Sequence, residues 1–499
     1  MKVPIVGDRL FLKAWGEEKL RDIRKTLTAI ERLASKHVGL YLLRTAANVC
    51  KILYITRTTP RDMIEGLLEG FDISLMHAVE EVIGLRLEEK QRMQVELRVG
   101  DSGLGLRLGK SVADGAYVSS RAMTFEVCEE LDTDFAWDAT GGPGAEDRDM
   151  GVGGEAQVAC GLAGAIARMK EAMPEYRAGG LDVPGQVPKQ KEFTAKLDIL
   201  KKRAVEEGGS ALEKARLHAM SAPHAGAWLE APPSRAQDTR FTNEELHTRV
   251  GRRLGIKICE ECTCPFCFAP MDGFGAHAET CMGGGDKVTT HNCTRDTIYK
   301  QAQAANIAPQ FEAAGVLAGE PGERGGAAGE QPGDDRRRPA DVLVCRAQDI
   351  RTGNGGGRGR AKVALDVGIV CPQAPGHLRD AASGELGAAE EYCRVKCGRE
   401  RTEERCRERG VEFQPLIFES TGGVACEAEV VLKCINRMVA QNRGVSVGDV
   451  ATRFWQRVSV DMQRNMHRAL VRRVANNVGG ADGLGKLVEG VALLEEPGL

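Results

Sequence analysis

Six of the sixteen cysteines fall between Cys259 and Cys293, and this crowding constrains the chain more than any other feature. The chain opens Met1-Lys2-Val3-Pro4, with no apolar run behind a basic end, and no stretch reaches the ~18 consecutive apolar residues that span a bilayer. The sequence therefore predicts an intracellular protein, nuclear or cytoplasmic, with no membrane partner. In a reducing compartment such cysteines read as thiols and metal ligands, not as disulfides. The best-formed set is Cys264, Cys267, His277 and Cys281, spaced C-x2-C-x9-H-x3-C. Zinc takes four N/S ligands in a tetrahedron. A C-x2-C turn offers two thiolates from one knuckle, H-x3-C offers two ligands from one helical turn, and Gly273 and Gly275 suit the link between them. Structural Zn²⁺ is the expected cofactor, folding a segment with almost no core of its own. Cys259 and Cys262 form a competing pair and Cys293 a spare, so the spacing leaves the register open.

Around this cluster the pattern predicts an α+β chain. Residues 1–130 read as helical. Apolar residues recur at helical spacing over 18–49 (Leu20, Ile23, Leu27, Ile30, Leu33), and Thr59-Pro60 is an expected N-cap and first turn. A glycine- and aspartate-rich linker occupies 131–154. A helical connector follows over 155–255, interrupted at 179–188 and ending in a helix opened by the capping box Thr242/Glu245, with Phe241 and Leu246 placed as a hydrophobic staple. The zinc knuckle is expected over 256–295, an α/β core over 296–475, and a tail over 476–499. Within the core, 317–338 is polar, low in complexity and expected to be disordered. Strands are expected at 341–345, 362–370 and 413–418, and helices near 386–409, 425–441 and 446–473.

Two acids stand in the strand-like runs. Asp341 opens Asp-Val-Leu-Val and Asp366 lies inside Ala-Leu-Asp-Val-Gly-Ile. A carboxylate in such a run is costly unless it binds something, and two on neighbouring strands make a hard-oxygen site for Mg²⁺ or Mn²⁺. A metal there activates water against a phosphodiester. The alternative is structural: Asp341 starts a strand and Asp366 pairs with an arginine. The lysine often found two residues after the second acid is replaced by Gly368. Lys396 shares a helix face with Tyr392 and has a stem long enough to reach back, while Arg394 and Lys362 are rivals and a solvated surface lysine is the plainer reading.

A net charge of only −3 means that any nucleic-acid surface is local. Residues 452–473 hold six arginines against the single acid Asp461, and Arg453, Arg457, Arg464, Arg468 and Arg472 fall on one helical face. Trp455, Val458, Met462, Met466 and Leu470 fall on the other. A basic stripe on a docked helix suits a phosphate backbone.

Together these residues resemble the non-LTR retrotransposon polyproteins that end in a restriction-like endonuclease of the PD-(D/E)XK kind. The resemblance is densest over 216–470. It is carried by Ser221 to Leu229 with Pro232-Pro233-Ser234, the helix end Arg253-Leu254-Gly255, the knuckle with Asp272-Gly273 and His277, the pair His291-Asn292, Arg338-Pro339-Ala340-Asp341, Ala364-Leu365-Asp366-Val367, and Phe413 to Gly422. Gln456 to Val460 with Gln463-Arg464 is similar to the family's final helix. More loosely, residues 3–7, Leu43-Arg44 and Gly103 to Leu106 are similar to the helical region that follows a reverse-transcriptase palm.

The resemblance implies a restriction-endonuclease-like mixed sheet over 296–475, with Asp341, Asp366 and Lys396 as a nuclease centre. Glu312, on a helix before the insert, would be an added metal contact, and Glu419 a family position either structural or catalytic. The implied function is nicking of target DNA for retrotransposition. DNA is the expected partner, with element RNA and a polymerase-containing chain of the same element as further ones. The paired aspartates of a polymerase palm are not in this sequence, the gap between Asp341 and Asp366 carries a Gly/Arg loop at 351–360, and Met1 falls mid-architecture. The expectation is thus a truncated retroelement protein that is no polymerase on its own. The rival is a catalytically dead, zinc-dependent nucleic-acid-binding remnant.

Overall fold

The computed structural model describes residues 9–133, 135–139, 161–313, 316, 340–346 and 362–475. The chain divides into two compact units, Met1–Arg98 with Gly103–Glu207, and Val99–Ser102 with Gly208–Leu499. Residues 3–7, 140–154, 317–338 and 351–360 and the tail 476–499, all singled out in the sequence, lie outside the described residues.

The described part of the first unit is helical, as the apolar spacing predicts: α1 (Arg9–Glu31), α2 (Lys36–Thr45), α3 (Leu53–Thr58), α4 (Glu65–Ile83), α5 (Glu89–Glu96), α6 (Gly109–Leu131), α7 (Gly161–Ala172) and α8 (Gln190–Glu206). Leu12, Leu20, Ile23, Leu27 and Ile30 form the buried stripe of α1, which packs on α4. The spacing of three and four residues returns each to the same face. The helix start expected at Thr59-Pro60 is displaced. Thr59 stays extended before the proline (φ −133°, ψ 130°), as the proline ring requires. A single 3₁₀ turn at Arg61–Met63 intervenes before α4 begins at Glu65.

The second unit places helix around a small mixed sheet. It runs α9 (Ala211–Ser221), α10 (Ala227–Glu230), α11 (Asn243–Leu254), the two-residue strands β1 (Cys262–Thr263) and β2 (Pro270–Met271), α12 (Ala276–Thr280), α13 (Asp286–Ala304), β3 (Pro309–Phe311), β4 (Val342–Val344), β5 (Lys362–Val370), α14 (Leu378–Ser383), α15 (Gly387–Gly398), α16 (Thr402–Glu408), β6 (Val411–Glu419), α17 (Cys426–Arg443) and α18 (Val447–Ala475). The capping box at α11 forms as predicted: Glu245 N donates to Thr242 Oγ1 (3.1 Å), Thr242 N donates to Glu245 Oε2 (2.8 Å), and Phe241 and Leu246 are both buried.

The main sheet has the order β3-β4-β5-β6. β3, β4 and β5 are antiparallel neighbours, and β5 and β6 are parallel over nine residues. A parallel pair needs a crossover, and α14, α15 and α16 provide it. Val342, Val344, Val363, Leu365 and Val367 join the core with Ile298 of α13 and with α17 and α18. Leu343, Ala364 and Phe413 face the other way onto Cys406 of α16. With both faces covered, β5 and β6 read as near-continuous apolar runs. The Asp366 alternate of β5 therefore lies on the α15–α16 side. Phe418 of β6 is fully buried, and Phe418→Ala is expected to lower stability by about 3–5 kcal/mol in chemical denaturation.

α18 is the longest element and its apolar stripe docks as predicted: Trp455, Val458, Met462, Met466 and Leu470 are all buried. His467 on this helix is hydrogen-bonded through Nδ1 to Thr248 Oγ1 (2.7 Å). Burial, helped by the Arg249 charge, pushes its imidazole down to about 4. Below its ordinary pKa near 6.5 the unfolded chain takes up a proton that the folded one refuses until about pH 4. Stability from this group is whole above pH 6.5 and is lost as pH falls through that window, by at most about 3 kcal/mol. His467→Asn should flatten the acid limb of the stability–pH curve between those values.

Among the described residues no helix is long and apolar enough to cross a membrane.

Candidate metal centres

The knuckle is built on a tight backbone frame. Cys264 N donates to Ala269 O (2.9 Å) and Phe268 N to Cys264 O (2.9 Å), closing the C-x2-C turn. Asp272 then caps α12: its Oδ1 accepts from Phe274 N and Ala276 N, and its Oδ2 from His277 N, at 2.9–3.1 Å. The cap satisfies donors that a five-residue helix leaves open and aims His277 and Cys281 at the turn. Ile258, Met271 and Ala278 of the knuckle bury against Ala469, Leu470 and Val474 of α18.

The four predicted ligands converge, with their ligand atoms all within 4.8 Å of one another. A Zn–S bond of about 2.3 Å at tetrahedral angles implies ligand–ligand edges of about 3.8 Å. The observed edges are 3.8 Å (Cys264 Sγ to Cys281 Sγ), 3.5 Å (Cys281 Sγ to Cys267 Sγ) and 3.3 Å (Cys267 Sγ to His277 Nε2). Burial pushes the Cys264 thiol up, but N–H donors of Phe266 and Cys267 outweigh it and hold the thiol down at about 6. The donor set and its spacing fit zinc. The register left open by the sequence closes here: Cys259 turns its Sγ to the carbonyls of Asp272 and Gly273 (3.6 Å each), outside the cluster. Cys293 lies on α13.

Asp341 lies one residue before β4, and the Val342–Leu365 pairing sets it across from Asp366 in the middle of β5. Asp341 Oδ2 accepts from Val367 N (2.7 Å) and from His291 Nε2 of α13 (3.2 Å). Lys396 Nζ donates to Asp366 Oδ2 (2.7 Å) and to Val367 O (3.2 Å). Gly368 explains how a lysine on α15 reaches a strand acid. A Cβ at 368 would lie 2.7 Å from Ile417 Cδ1, 3.2 Å from the Tyr392 ring and 3.6 Å from Lys396 Cε. The missing side chain leaves the channel that the Lys396 stem fills. The rivals fall away from this point, with Arg394 exposed and Lys362 exposed at the start of β5.

The electrostatics of the pair are unequal. Burial pushes Asp366 up to about 6 in spite of the Lys396 ammonium. Burial acts on Asp341 too, but the His291 hydrogen bond and charge outweigh it and hold that carboxyl below its ordinary value. The same hydrogen bond raises His291. His291 has no apolar context or spacing that would mark it in the sequence as a neighbour of Asp341; only the tertiary fold brings α13 to β4.

Two expected residues sit elsewhere. Glu312 is not on a helix. It follows the edge strand β3 at φ 43°, its backbone N donates to Asp341 O (3.0 Å), and its carboxylate is held by Arg295. A three-residue strand beginning at Pro309 carries no alternation long enough to read. Glu419 ends β6, four residues beyond the Pro415 that pairs with Asp366, hence about 13 Å along the sheet. It is buried, and burial pushes its carboxyl up to about 7 although Ala389 N donates to it.

The arginine stripe is largely engaged within the chain. Arg457 pairs with Asp461 (2.7 Å) and Asp238 (3.2 Å), Arg464 with Asp238 (2.8 Å), and Arg472 with Asp286 (2.6 Å). Arg453 and Arg468 are exposed. The helical wheel placed these side chains on one face correctly, but acids from the 232–242 loop and from α13 come from distant sequence.

No family model matches the chain, and no curated protein matches it.

Proposed function

We propose that the second unit is a metal-dependent DNA endonuclease of restriction-like type, from a non-LTR retrotransposon polyprotein, with a structural zinc knuckle beside it. One observation carries the reading: Asp341 beside β4 lies across from Asp366 in the middle of β5, and Lys396 of α15 reaches in to place its Nζ 2.7 Å from Asp366. Ion-pairing a lysine to a half-buried acid beside a second acid is a costly arrangement for structure alone. A bound Mg²⁺ or Mn²⁺ supplies Lewis-acid activation of water at such a centre. Asp341 and Asp366 are the oxygen donors that fit it. His291 orients Asp341, and Lys396 places a positive charge where an attacked phosphate would develop negative charge. Arg453 and Arg468 are the exposed part of the stripe that suits a DNA backbone.

The test is conversion of supercoiled plasmid to the open circle by the full-length chain with Mg²⁺ or Mn²⁺. Intact plasmid under both ions, with the protein folded and zinc-loaded, rejects the reading. A second reading is a zinc-dependent nucleic-acid-binding remnant, favoured by the completeness of the Cys/His ligand set and by the pairing of the Glu312 carboxylate with Arg295. Salt-sensitive DNA binding without cleavage, unchanged by Asp341→Ala, selects it.

A further inference from the structure

Glu279 lies on α12 between the ligands His277 and Cys281, yet its side chain points into the unit and its carboxylate is almost wholly buried. Four residues surround it. Arg249 Nη2 donates to Oε1 (3.0 Å), Arg252 donates through Nε to Oε1 (3.1 Å) and through Nη2 to Oε2 (3.2 Å), and Ser420 Oγ donates to Oε2 (2.8 Å). The Cys371 thiol is 3.8 Å from Oε2. Arg249 and Arg252 belong to α11, Cys371 directly follows β5, and Ser420 directly follows β6. The network continues into α18. Arg249 Nε donates to Gln463 Oε1 (2.8 Å), and Gln463 Nε2 donates to Thr421 O (3.1 Å). Ser420 N donates to Val370 O (2.8 Å), tying the two strand ends together.

We propose that the knuckle is a metal-dependent latch on the sheet, in which closure of the four ligands seats Glu279 and Glu279 clamps α11 to the ends of β5 and β6. The proposal rests on the Cys/His cluster and is independent of the nuclease reading. A helix of five residues does not hold itself in water, so α12 depends on its ligands, its Asp272 cap and its packing on α18. When the ligands let go, the carboxylate loses its fixed position. Arg249 and Arg252 are buried, and two buried guanidinium groups deprived of their counter-charge are strongly unfavourable. The strand ends they reach through Glu279 then open. Linkage runs in both directions: a residue that never touches the ion, Ser420, must also change how tightly the ion is held.

The experiment uses the full-length chain loaded with Zn²⁺, with two readouts. The first is the rate of zinc transfer to a chromophoric chelator for wild type, Glu279→Gln and Ser420→Ala. Both variants are expected to release zinc faster, Glu279→Gln by about tenfold or more, in the range for residues that support a ligand without binding the metal. Ser420→Ala removes one hydrogen bond and keeps the test alive if Glu279→Gln does not fold. The second is alkylation mapped by peptide after zinc is stripped. Cys371, fully buried, should become reactive while Cys406, buried on the opposite sheet face, stays protected. Wild-type release by the folded variants overturns the latch. So does a Cys371 that stays protected without zinc. Simultaneous exposure of Cys406 overturns it as well, because the metal would then hold up the whole unit and not its sheet end.

Discussion

Asp366→Ala is expected to cut metal-dependent plasmid nicking by at least ~10²–10³-fold, the scale of losing one group that acts on charge developing in a transition state. The same loss is expected for Asp341→Ala and Lys396→Ala. The expectation rests on the register that sets Asp341 across from Asp366 on the neighbouring strand and on the 2.7 Å contact of Lys396 with Asp366. Effects of groups that act as a unit do not add, so the double variant Asp366→Ala/Lys396→Ala should be no worse than either single one. Gly368 supplies a sharper check. Moving the lysine to the strand, as Gly368→Lys with Lys396→Ala, should not restore nicking, because Ile417 occupies the space 2.7 Å from where the new Cβ would stand. Initial rates with Mg²⁺ and Mn²⁺ measure all of these, with zinc content and unfolding midpoint as folding controls. Wild-type nicking by folded Asp366→Ala would mean that the cleavage centre is elsewhere.

His277→Ala or Cys281→Ala is expected to abolish stoichiometric zinc and unfold the knuckle. Apparent binding free energies of structural zinc are on the order of 10 kcal/mol, and the knuckle's own apolar contribution is small: Ile258, Met271 and Ala278 against one face of α18. Cys259→Ser and Cys293→Ser separate ligands from bystanders. Neither sulfur belongs to the four-atom cluster, so both variants should retain one zinc per chain. Metal analysis after dialysis reads the result. Loss of zinc from Cys259→Ser with retention by Cys281→Ala would reverse the ligand assignment.

How much could be read beforehand differs from element to element. The strand 362–370 is legible to the residue, because nine consecutive residues with apolar and β-branched bias sit between a glycine-rich sequence and Cys371-Pro372. The α11 capping box was equally plain, since its four residues signal their own bonding. β3 was not readable, being three residues on a sheet edge, and with it went the placement of Glu312. The start of α4 lies later than the sequence predicts because a proline signal that opens a helix also opens a 3₁₀ turn, and the four residues that follow do not separate the two.

Sequence alone determined whatever depends on spacing within a few turns of chain: the candidate ligands of the knuckle, though not the choice between Cys264/Cys267 and Cys259/Cys262, the two faces of α18, and the acids within strand-like runs. Cysteines and histidine three to ten residues apart can meet only in a few ways, and a helical wheel needs no partner. Tertiary structure alone decided which charges face one another. It turned Arg457 and Arg464 to Asp238 and Arg472 to Asp286, set His291 against Asp341, and made Glu279 the junction of α11, α12 and the two strand ends. The physical reason is range. Helical and turn patterns are local, whereas a buried charge is stabilised by whichever opposite charge the packing brings within about 3 Å, and nothing near it in the chain says which that will be.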